Sequence, residues 1–321
     1  MKTFTITAAA LAALALPALA QECPEGQRLF DHHAGADCIP EDPQRIVTLQ
    51  DQNGLLPLME LGVRPVGSAG HITNDGERIF RRMEGYDTAG IEWIGTYGTA
   101  VDPEVIAGLD PDLIVASPWP PEAPELYGDI APVVVIDMFE QPLPDALFQF
   151  ADLVNRTDRA EELQAELEAR MDEVREDLGP ALEATTVSFL TSNIEDGQFY
   201  PTNPTQAMGV ILRGLDPIRP AAESDLADNR EYRSIETIGA HEADVMFQLV
   251  FDADDRGDSD AYNAFTSHPL VQATEVAQAG QIFPLDGSQM VGSAWRKVMN
   301  GLDQIAAVLT RENLNRDLVS E

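Results

Sequence analysis

The residues that could catalyse a reaction are sparse in this chain, and none lies in a recognisable catalytic motif. Ser68 and His71 are close in sequence, but no strand–elbow–helix pattern surrounds the serine. No glycine-rich loop that ends in Lys is available to cradle a phosphate. We therefore predict no catalytic residue, and a secreted enzyme is kept only as the alternative from a different functional class.

The two cysteines, Cys23 and Cys38, lie in an N-terminal arm that spans residues 21–42. Because the chain begins with an export signal, described next, and the number of cysteines is even, we predict a disulfide between them. The alternative is a metal site that includes His32 and His33, which lie between the cysteines. Their spacing matches no common metal motif, so no metal site is predicted.

Residues 1–20 have the order of a cleavable secretion signal. Lys2 is followed by an apolar run and then by the small residues Ala18 and Ala20. The run is too short for a permanent membrane anchor, and no later stretch approaches transmembrane length. Since Cys23 does not directly follow the expected cleavage site, we predict an exported, soluble chain without a lipid anchor.

The charge of the chain limits its partners. With 55 acidic and 20 basic residues, the formal net charge is −35. Such a chain is not a nucleic-acid-binding protein, because a phosphate backbone requires a basic face, and an anionic membrane surface is disfavoured for the same reason. Two interpretations of the acid remain open, a solvated acidic surface or the recruitment of a basic partner or cationic ligand.

Short β-rich runs alternate with helical stretches on both sides of one long helical pattern. Apolar positions recur every three or four residues from Asp158 to Leu178, and Gly179 with Pro180 is predicted to end that helix. Continuous β-branched runs separated by helices indicate parallel strands covered on both faces. The sequence therefore predicts an α/β fold with two Rossmann-like lobes, residues 43–157 and 180–321, joined by one interdomain helix, residues 158–179.

The pattern also predicts the structure of three particular segments. Residues 63–67 are predicted to form the second strand, and residues 268–277 are predicted to form one helix. Residues 252–260, rich in Asp and Gly, are predicted to form an exposed loop.

Four segments carry a resemblance to a known family. They span residues 45–67, 101–117, 234–247 and 268–287, and the first contains the sequence LGVRPVG. In this order, on both sides of the long helix, they resemble the periplasmic ferric-siderophore and cobalamin binding proteins of ABC importers, the helix-linked, class III fold. The resemblance implies a monomer without an intrinsic cofactor that carries a ferric siderophore to an inner-membrane permease. Haem or cobalamin remains an alternative ligand within the same fold.

The resemblance also implies a pair of docking residues, one on each lobe. In this family a Glu on each lobe contacts basic residues of the permease, and the matching positions here are Glu104 and Glu236. Acids in a first helical turn are also favoured by the helix dipole alone, so the positions have a second explanation.

A ligand in such a fold lies in the cleft between the lobes, beyond the carboxyl ends of the strands. Aromatic side chains suit a large flat chelate, and Arg suits carboxylate or catecholate oxygens. His71 or Tyr97 could also serve as the single axial ligand of a haem. The predicted ligand-binding residues are His71, Trp93, Tyr97, Trp119, Tyr200, Phe251, Trp295 and Arg296.

Overall fold

The structure is a computed structural model that describes residues 22–73, 75–202, 206–223, 231–251 and 259–319. The predicted secretion signal, residues 1–20, and most of the predicted loop at 252–260 lie outside the described residues. None of the described helices combines the length and the apolar character needed to cross a lipid bilayer.

The N-terminal arm is an antiparallel hairpin of β1 (Gln27–His32) and β2 (Gly35–Pro40). The predicted disulfide is confirmed: Cys23 and Cys38 are bonded, with 5.5 Å between their Cα atoms. Phe30 and Ile39 of the hairpin are buried in the main apolar core. The arm is therefore part of the folded body.

The N-terminal lobe is built on a sheet whose strand order is β5-β4-β3-β7-β8, with β6 also paired to β4. All of these pairings are parallel except the one between β4 and β5. Its strands are β3 (Ile46–Thr48), β4 (Gly67–Ile72), β5 (Arg78–Ile79), β6 (Glu92–Thr96), β7 (Leu113–Ala116) and β8 (Val133–Val135). Its helices are α1 (Leu56–Glu60), α2 (Pro103–Ala107), α3 (Ala123–Tyr127) and α4 (Leu143–Leu153).

The second strand begins later than the sequence predicts. The expected strand at 63–67 is wrong, because β4 starts only at Gly67. The Val63 N–H closes the turn after α1 by donating to the Leu58 carbonyl, and Pro65 has no N–H to give to a sheet. Val66 makes the first contact with β3 by donating to the Ile46 carbonyl. Residues 63–66 are thus a connection into the strand.

The long helix α5 (Thr157–Ala184) has 28 residues and is about 42 Å long at 1.5 Å per residue. The apolar positions that predicted it are all buried: Ala160, Leu163, Leu167, Met171, Val174 and Leu178. The helix packs against α4 of the N-terminal lobe and against helices of the C-terminal lobe.

The prediction that Gly179 and Pro180 end this helix is wrong. Pro180 is exposed and lies inside the helix, which continues to Ala184. A proline removes one hydrogen bond to the carbonyl four residues earlier, here that of Glu176 on the exposed face, where water can replace it. Beyond the proline, Leu182 packs against the main core, and this contact favours the continued helix.

The C-terminal lobe has a sheet with strand order β11-β10-β9-β12-β13, in which β9, β12 and β13 are parallel. Its strands are β9 (Val187–Asn193), β10 (Gln198–Pro201), β11 (Arg233–Ser234), β12 (Val245–Val250) and β13 (Ile282–Asp286). Its helices are α6 (Gln206–Leu215), α7 (Asp260–Ser267), α8 (Pro269–Gln272), α9 (Glu275–Gln278), α10 (Gly287–Met290) and α11 (Trp295–Leu309). A short 3₁₀ helix, Ile235–His241, follows β11.

The single helix predicted at 268–277 is instead the pair α8 and α9. The Thr274 side chain accepts a hydrogen bond from the Ala277 N–H and so caps a new helix in the middle of the segment.

The predicted class, two α/β lobes joined by one long helix, is confirmed.

Candidate ligand-binding site

A cluster of three arginines lies where the N-terminal lobe meets the C-terminal lobe. The short strand β5 pairs antiparallel with the end of β4, with His71 opposite Ile79, and so turns the chain back over the carboxyl end of the sheet. Arg78 lies on β5, and Arg81 and Arg82 follow directly. These three residues, with the aromatic rings that they contact, are called the arginine cluster below.

Arg81 is held in place by a buried carboxylate. Asp51 is fully buried and accepts from the Arg81 Nε at 3.0 Å, from a terminal guanidinium nitrogen at 2.7 Å and from the Arg81 backbone N–H at 2.9 Å. A two-pronged pairing of this kind fixes both the position and the plane of the guanidinium. The guanidinium carbon of Arg81 is also 5.2 Å from the centroid of the Tyr97 ring, within cation–π range.

Arg78 stacks on Trp93, with 4.6 Å between the guanidinium carbon and the ring centroid. The indole can reach this place because the neighbouring strand carries Gly70, where an added Cβ would lie 2.8 Å from the Trp93 Nε1 and 2.3 Å from the Ile79 carbonyl oxygen. The Trp93 N–H is buried and has no hydrogen-bond partner among the described residues. A buried donor without a partner, next to a positive charge, is a group to which an acceptor atom of an anionic ligand could bind.

Arg82 connects the two lobes. Its guanidinium carbon is 5.8 Å from the ring centroid of Phe251, which directly follows the carboxyl end of β12 in the C-terminal lobe. Burial is the main cause that lowers the pKa of Arg82, and repulsion from Arg81 lowers it further. Asp286 of the C-terminal lobe is among the carboxylates that oppose this shift, so charges from both lobes act on the guanidinium.

The backbone of Arg82 is in an unusual conformation. Its φ of +62° lies in the left-handed region, which costs a residue other than glycine roughly 1–2 kcal/mol. The Nε of Arg82 is also buried without a hydrogen-bond partner among the described residues. Among the residues that the structure describes, neither Arg78 nor Arg82 forms an ion pair with a carboxylate of the protein. Strain and unpaired donors at one residue are typical of a functional site.

Phe251 is 51% exposed even though it contacts Arg82. Its ring lies so close to the start of α10 that a Cβ on Gly287 would be 2.5 Å from it. A glycine at this position is therefore required for the ring to occupy the boundary between the lobes.

The structure thus brings together four of the residues predicted from sequence. Trp93, Tyr97 and Phe251 form the aromatic part of the arginine cluster, and His71 is exposed on β4 beside β5. Trp93 lies on strand β6.

Two further predicted aromatics lie on other elements of the two lobes. Trp119 follows β7 and is 69% exposed, the largest value among the exposed apolar side chains. Tyr200 lies on β10 and packs edge-on against the exposed Tyr232, with 5.2 Å between ring centroids. Trp119 is available to a ligand at the rim of the N-terminal lobe, whereas Tyr200 belongs to the antiparallel edge of the C-terminal sheet.

Trp295 and Arg296 have other surroundings. Trp295 is fully buried, packs at right angles against Phe148 and donates its indole N–H to the Gln164 side chain at 2.9 Å. This burial leaves no surface for a ligand, so Trp295 is not included in the site. Arg296 is exposed and stacks on Tyr86 at 5.6 Å.

The start of α11 fastens the two lobes together. The buried carboxylate of Glu60, at the end of α1, accepts from the backbone N–H groups of Trp295 and Arg296 at 2.6 and 2.7 Å. Burial is the largest influence on Glu60 and raises its pKa, against the opposing effect of these hydrogen bonds. Ser293 donates to Asn53 at 2.6 Å across the same boundary. These contacts hold the lobes in a defined relative position.

The predicted docking residues share the same local structure on the two lobes. Glu104 lies in the first turn of α2, and its backbone N–H is capped by the Asp102 side chain at 2.9 Å. Glu236 lies in the first turn of the 3₁₀ helix, and its backbone N–H is capped by the Ser234 side chain at 3.3 Å. Both side chains are exposed, as a contact with another protein would require.

The arginines of the cluster were missed by the sequence analysis. Three of the 20 basic residues of the chain lie within the five residues 78–82, in a protein with 55 acidic residues. Such local concentration of the minority charge is the signal that charge patterning offers. No strand end is predicted near residue 78, so the sequence pattern does not place these arginines in the cleft.

Fold and site together define a class of protein: a two-lobed α/β binding protein with a long connecting helix and a polar, aromatic site between its lobes. A model of the periplasmic binding protein family matches residues 94–288, and the chain belongs to that family. It is 28% identical over 274 residues to the probable siderophore-binding lipoprotein YfiY of Bacillus subtilis. The aligned region covers 81% of this chain and 80% of the relative.

Solved structures show the same fold. The siderophore periplasmic binding protein from the fuscachelin gene cluster of Thermobifida fusca is 25% identical, with a TM-score of 0.64 over 84% of this chain and 98% of the other. Staphylococcus aureus SirA complexed with staphyloferrin B is 20% identical, with a TM-score of 0.70 over 90% of this chain and 99% of the other.

Proposed function

We propose that this protein is the periplasmic solute-binding component of an ABC importer, and that it captures a ferric siderophore between its lobes. Membership of the binding protein family and the names of the similar proteins support the ligand class. The single observation that carries the proposal is the arginine cluster, with its unpaired donors on Arg82 and Trp93 at the boundary between the lobes. The chelate is bound and released unchanged, and no catalysis is proposed.

The chemistry of the cluster favours an anionic chelate. Three guanidinium groups supply charge-assisted donors for carboxylate or catecholate oxygens, and such bonds are about twice as strong as neutral ones. The rings of Trp93, Tyr97 and Phe251 provide flat apolar surfaces on which the organic part of a chelate can stack. His71 and Trp119, both exposed, are proposed to add ligand contacts at the rim of the N-terminal lobe. A neutral or cationic ligand would leave Arg78 and Arg82 without an anionic partner.

Delivery is proposed to use the two exposed acids. Glu104 and Glu236 lie in equivalent first turns, one on each lobe, and would meet basic residues on the two halves of a permease. Charges at the rim of such an interface mainly set orientation and association rate. The protein is proposed to act as a soluble monomer after residues 1–20 are removed.

The ligand is tested by native mass spectrometry of the purified protein against ferric catecholate, hydroxamate and citrate-type chelates, haem and cobalamin. We expect one anionic ferric chelate to be retained at one per chain and to quench tryptophan fluorescence. Retention of haem alone, with a Soret absorption band, would refute the siderophore assignment. Equal retention of neutral and anionic chelates would contradict the role of the arginine cluster.

Docking is tested separately in a transport assay. Glu104→Arg combined with Glu236→Arg should abolish uptake of the chelate and leave its binding in solution unchanged. The matched control is Glu125→Arg with Glu275→Arg, which reverses two other exposed first-turn acids, one on each lobe. Loss of solution binding in the first pair, or equal loss of uptake in the control, would show that these two acids have no specific docking role.

A further inference from the structure

The tip of the N-terminal hairpin lies against the end of strand β8. The His33 N–H donates to the Val135 carbonyl at 3.0 Å and so extends the sheet of the N-terminal lobe by one contact. Two histidines, His32 and His33, are therefore placed beside the turn that follows β8, residues 137–140. Neither histidine has a role in the proposed transport function.

Both ring nitrogens of His32 contact other groups of the protein. Its side chain is 1% exposed, and its Nδ1 accepts from the backbone N–H groups of Val135 and Ala34, each at 3.3 Å. Its other nitrogen, Nε2, lies 2.9 Å from the Asp37 carboxylate. No ring nitrogen of His32 remains for another ligand.

His33 is different, because its Nδ1 faces two carboxylates. The nitrogen is 3.5 Å from Asp137 Oδ2 and 3.9 Å from Glu140 Oε2. These distances are too long for good hydrogen bonds. One candidate ligand atom from each of the three residues lies within 4.8 Å of the others.

Asp137 is oriented toward this space by its own backbone. Its side chain is nine-tenths buried, and its Oδ1 accepts from the N–H groups of Phe139 and Glu140 at 2.7 and 3.2 Å. Its Oδ2 accepts no hydrogen bond from the described residues and points at His33. This oxygen of a nearly buried side chain is therefore free to bind a cation or a water.

We propose that His33, Asp137 and Glu140 form a site for a divalent cation of borderline softness, such as Zn²⁺. One imidazole nitrogen and two carboxylate oxygens are ligands that Zn²⁺ accepts, with water in the fourth position. With bonds of about 2.1 Å, tetrahedral ligands lie about 3.4 Å apart, close to the observed 3.5 Å between His33 Nδ1 and Asp137 Oδ2. Glu140 is 78% exposed and can close the remaining gap by a change of side-chain rotamer.

The site unites parts of the chain that are more than 100 residues apart. Zinc would fasten the hairpin tip to the turn that carries Phe139, an apolar side chain 56% exposed at the carboxyl end of the sheet. In the sequence, the spacing of the two histidines and the two cysteines matches no common metal motif, so no metal was predicted there. The structure assigns the ligands differently, since Cys23 and Cys38 are bonded to each other and only His33 faces the carboxylates.

The test is calorimetric titration of the metal-free full-length mature protein with Zn²⁺, in the absence of any chelate. We expect one site per chain, with affinity at least roughly tenfold weaker in His33→Gln and reduced in Glu140→Gln. His268→Gln and Glu125→Gln change one His and one acid elsewhere and should bind as the wild type does. X-ray absorption of the zinc complex should report one nitrogen among oxygen neighbours.

Thermal unfolding provides a second measurement that does not depend on heats of binding. Saturating Zn²⁺ should raise the melting temperature of the wild type, because a ligand that binds only the folded state stabilises it. The same addition should have little effect on His33→Gln. Wild-type affinity in His33→Gln, or no Zn²⁺ binding by the wild type at millimolar concentration, would overturn the proposal. Neither result bears on siderophore binding, which uses other residues.

Discussion

Replacing Arg82 with Asn should separate ligand binding from stability. The substitution removes a partly desolvated guanidinium between the lobes from a residue whose backbone is strained. Asn is among the residues that tolerate a left-handed backbone, so the φ of +62° no longer carries its full cost. The expected result is a protein that is as stable as the wild type but binds the chelate poorly.

The magnitudes follow from the contacts. A hydrogen bond to a charged group contributes about 1.5–3 kcal/mol, so loss of one such bond to an anionic chelate weakens binding about 10- to 150-fold. Relief of the left-handed backbone conformation should raise the free energy of unfolding by roughly 1 kcal/mol. The lost contact with Phe251 removes a cation–π interaction of about 0.5–1 kcal/mol. The two effects nearly cancel, and the free energy of unfolding should stay within about 1 kcal/mol of the wild type.

Chelate titration by tryptophan fluorescence measures the first quantity, and chemical denaturation without ligand measures the second. Arg156→Asn makes the same replacement at an exposed arginine beside the long helix and should leave affinity unchanged. Affinity of Arg82→Asn within twofold of the wild type would refute the role of this residue in binding. A loss of more than about 2 kcal/mol of stability would show that the guanidinium instead holds the lobes together.

Three other variants test the energetics of the fold. The difference in free energy of unfolding between the wild type and Glu60→Gln should depend on pH. Because the pKa of Glu60 is higher in the folded state than its ordinary value of 4.5, protonation of Glu60 stabilises the folded wild type at pH values below 4.5. That contribution is lost as the pH rises through the folded-state pKa. Denaturation at pH 4 and 7 would therefore show the wild type losing stability relative to Glu60→Gln, and a constant difference would contradict this. Replacing Cys23 and Cys38 with Ser should cost about 3 kcal/mol in denaturation, because the arm buries Phe30 in the main core. Pro180→Ala should stabilise the long helix by about 1–2 kcal/mol in thermal unfolding, and destabilisation would be inconsistent with a helix that continues past this residue.

The long helix was predictable because its signal is redundant. Six apolar positions recur at helical spacing, and every one of them is buried in the structure. The end of the helix was not predictable in the same way. Pro180 is a strong local stop signal, but the contact of Leu182 with the core is a tertiary effect that no window around the proline contains. Boundaries were wrong where packing overrides local preference.

The candidate site was predictable only in part, for a similar reason. Trp93, Tyr97 and Phe251 were predicted as aromatic surfaces for a flat chelate, and in the structure each of them contacts a different arginine of the cluster. Trp295 was predicted by the same argument, yet it is buried at the start of α11. A large aromatic residue before a helix can serve either the core or a cleft, and sequence does not distinguish the two. The choice depends on Glu60, a residue 235 positions away.

The overall charge of −35 and a site for an anion are compatible, because they act over different distances. At physiological salt the Debye length is about 8 Å, so carboxylates on distant surfaces are largely screened from a ligand in the cleft. The potential there is set by the nearest groups, which are Arg78, Arg81 and Arg82 against the carboxylates of Asp51, Glu84 and Asp286. Asp51 is compensated by its two-pronged contact with Arg81, and Glu84 by its ion pair with Lys297, so Arg78 and Arg82 against Asp286 leave a local excess of positive charge. Affinity for an anionic chelate should therefore decrease only moderately with added salt, while the acidic surface continues to determine solubility.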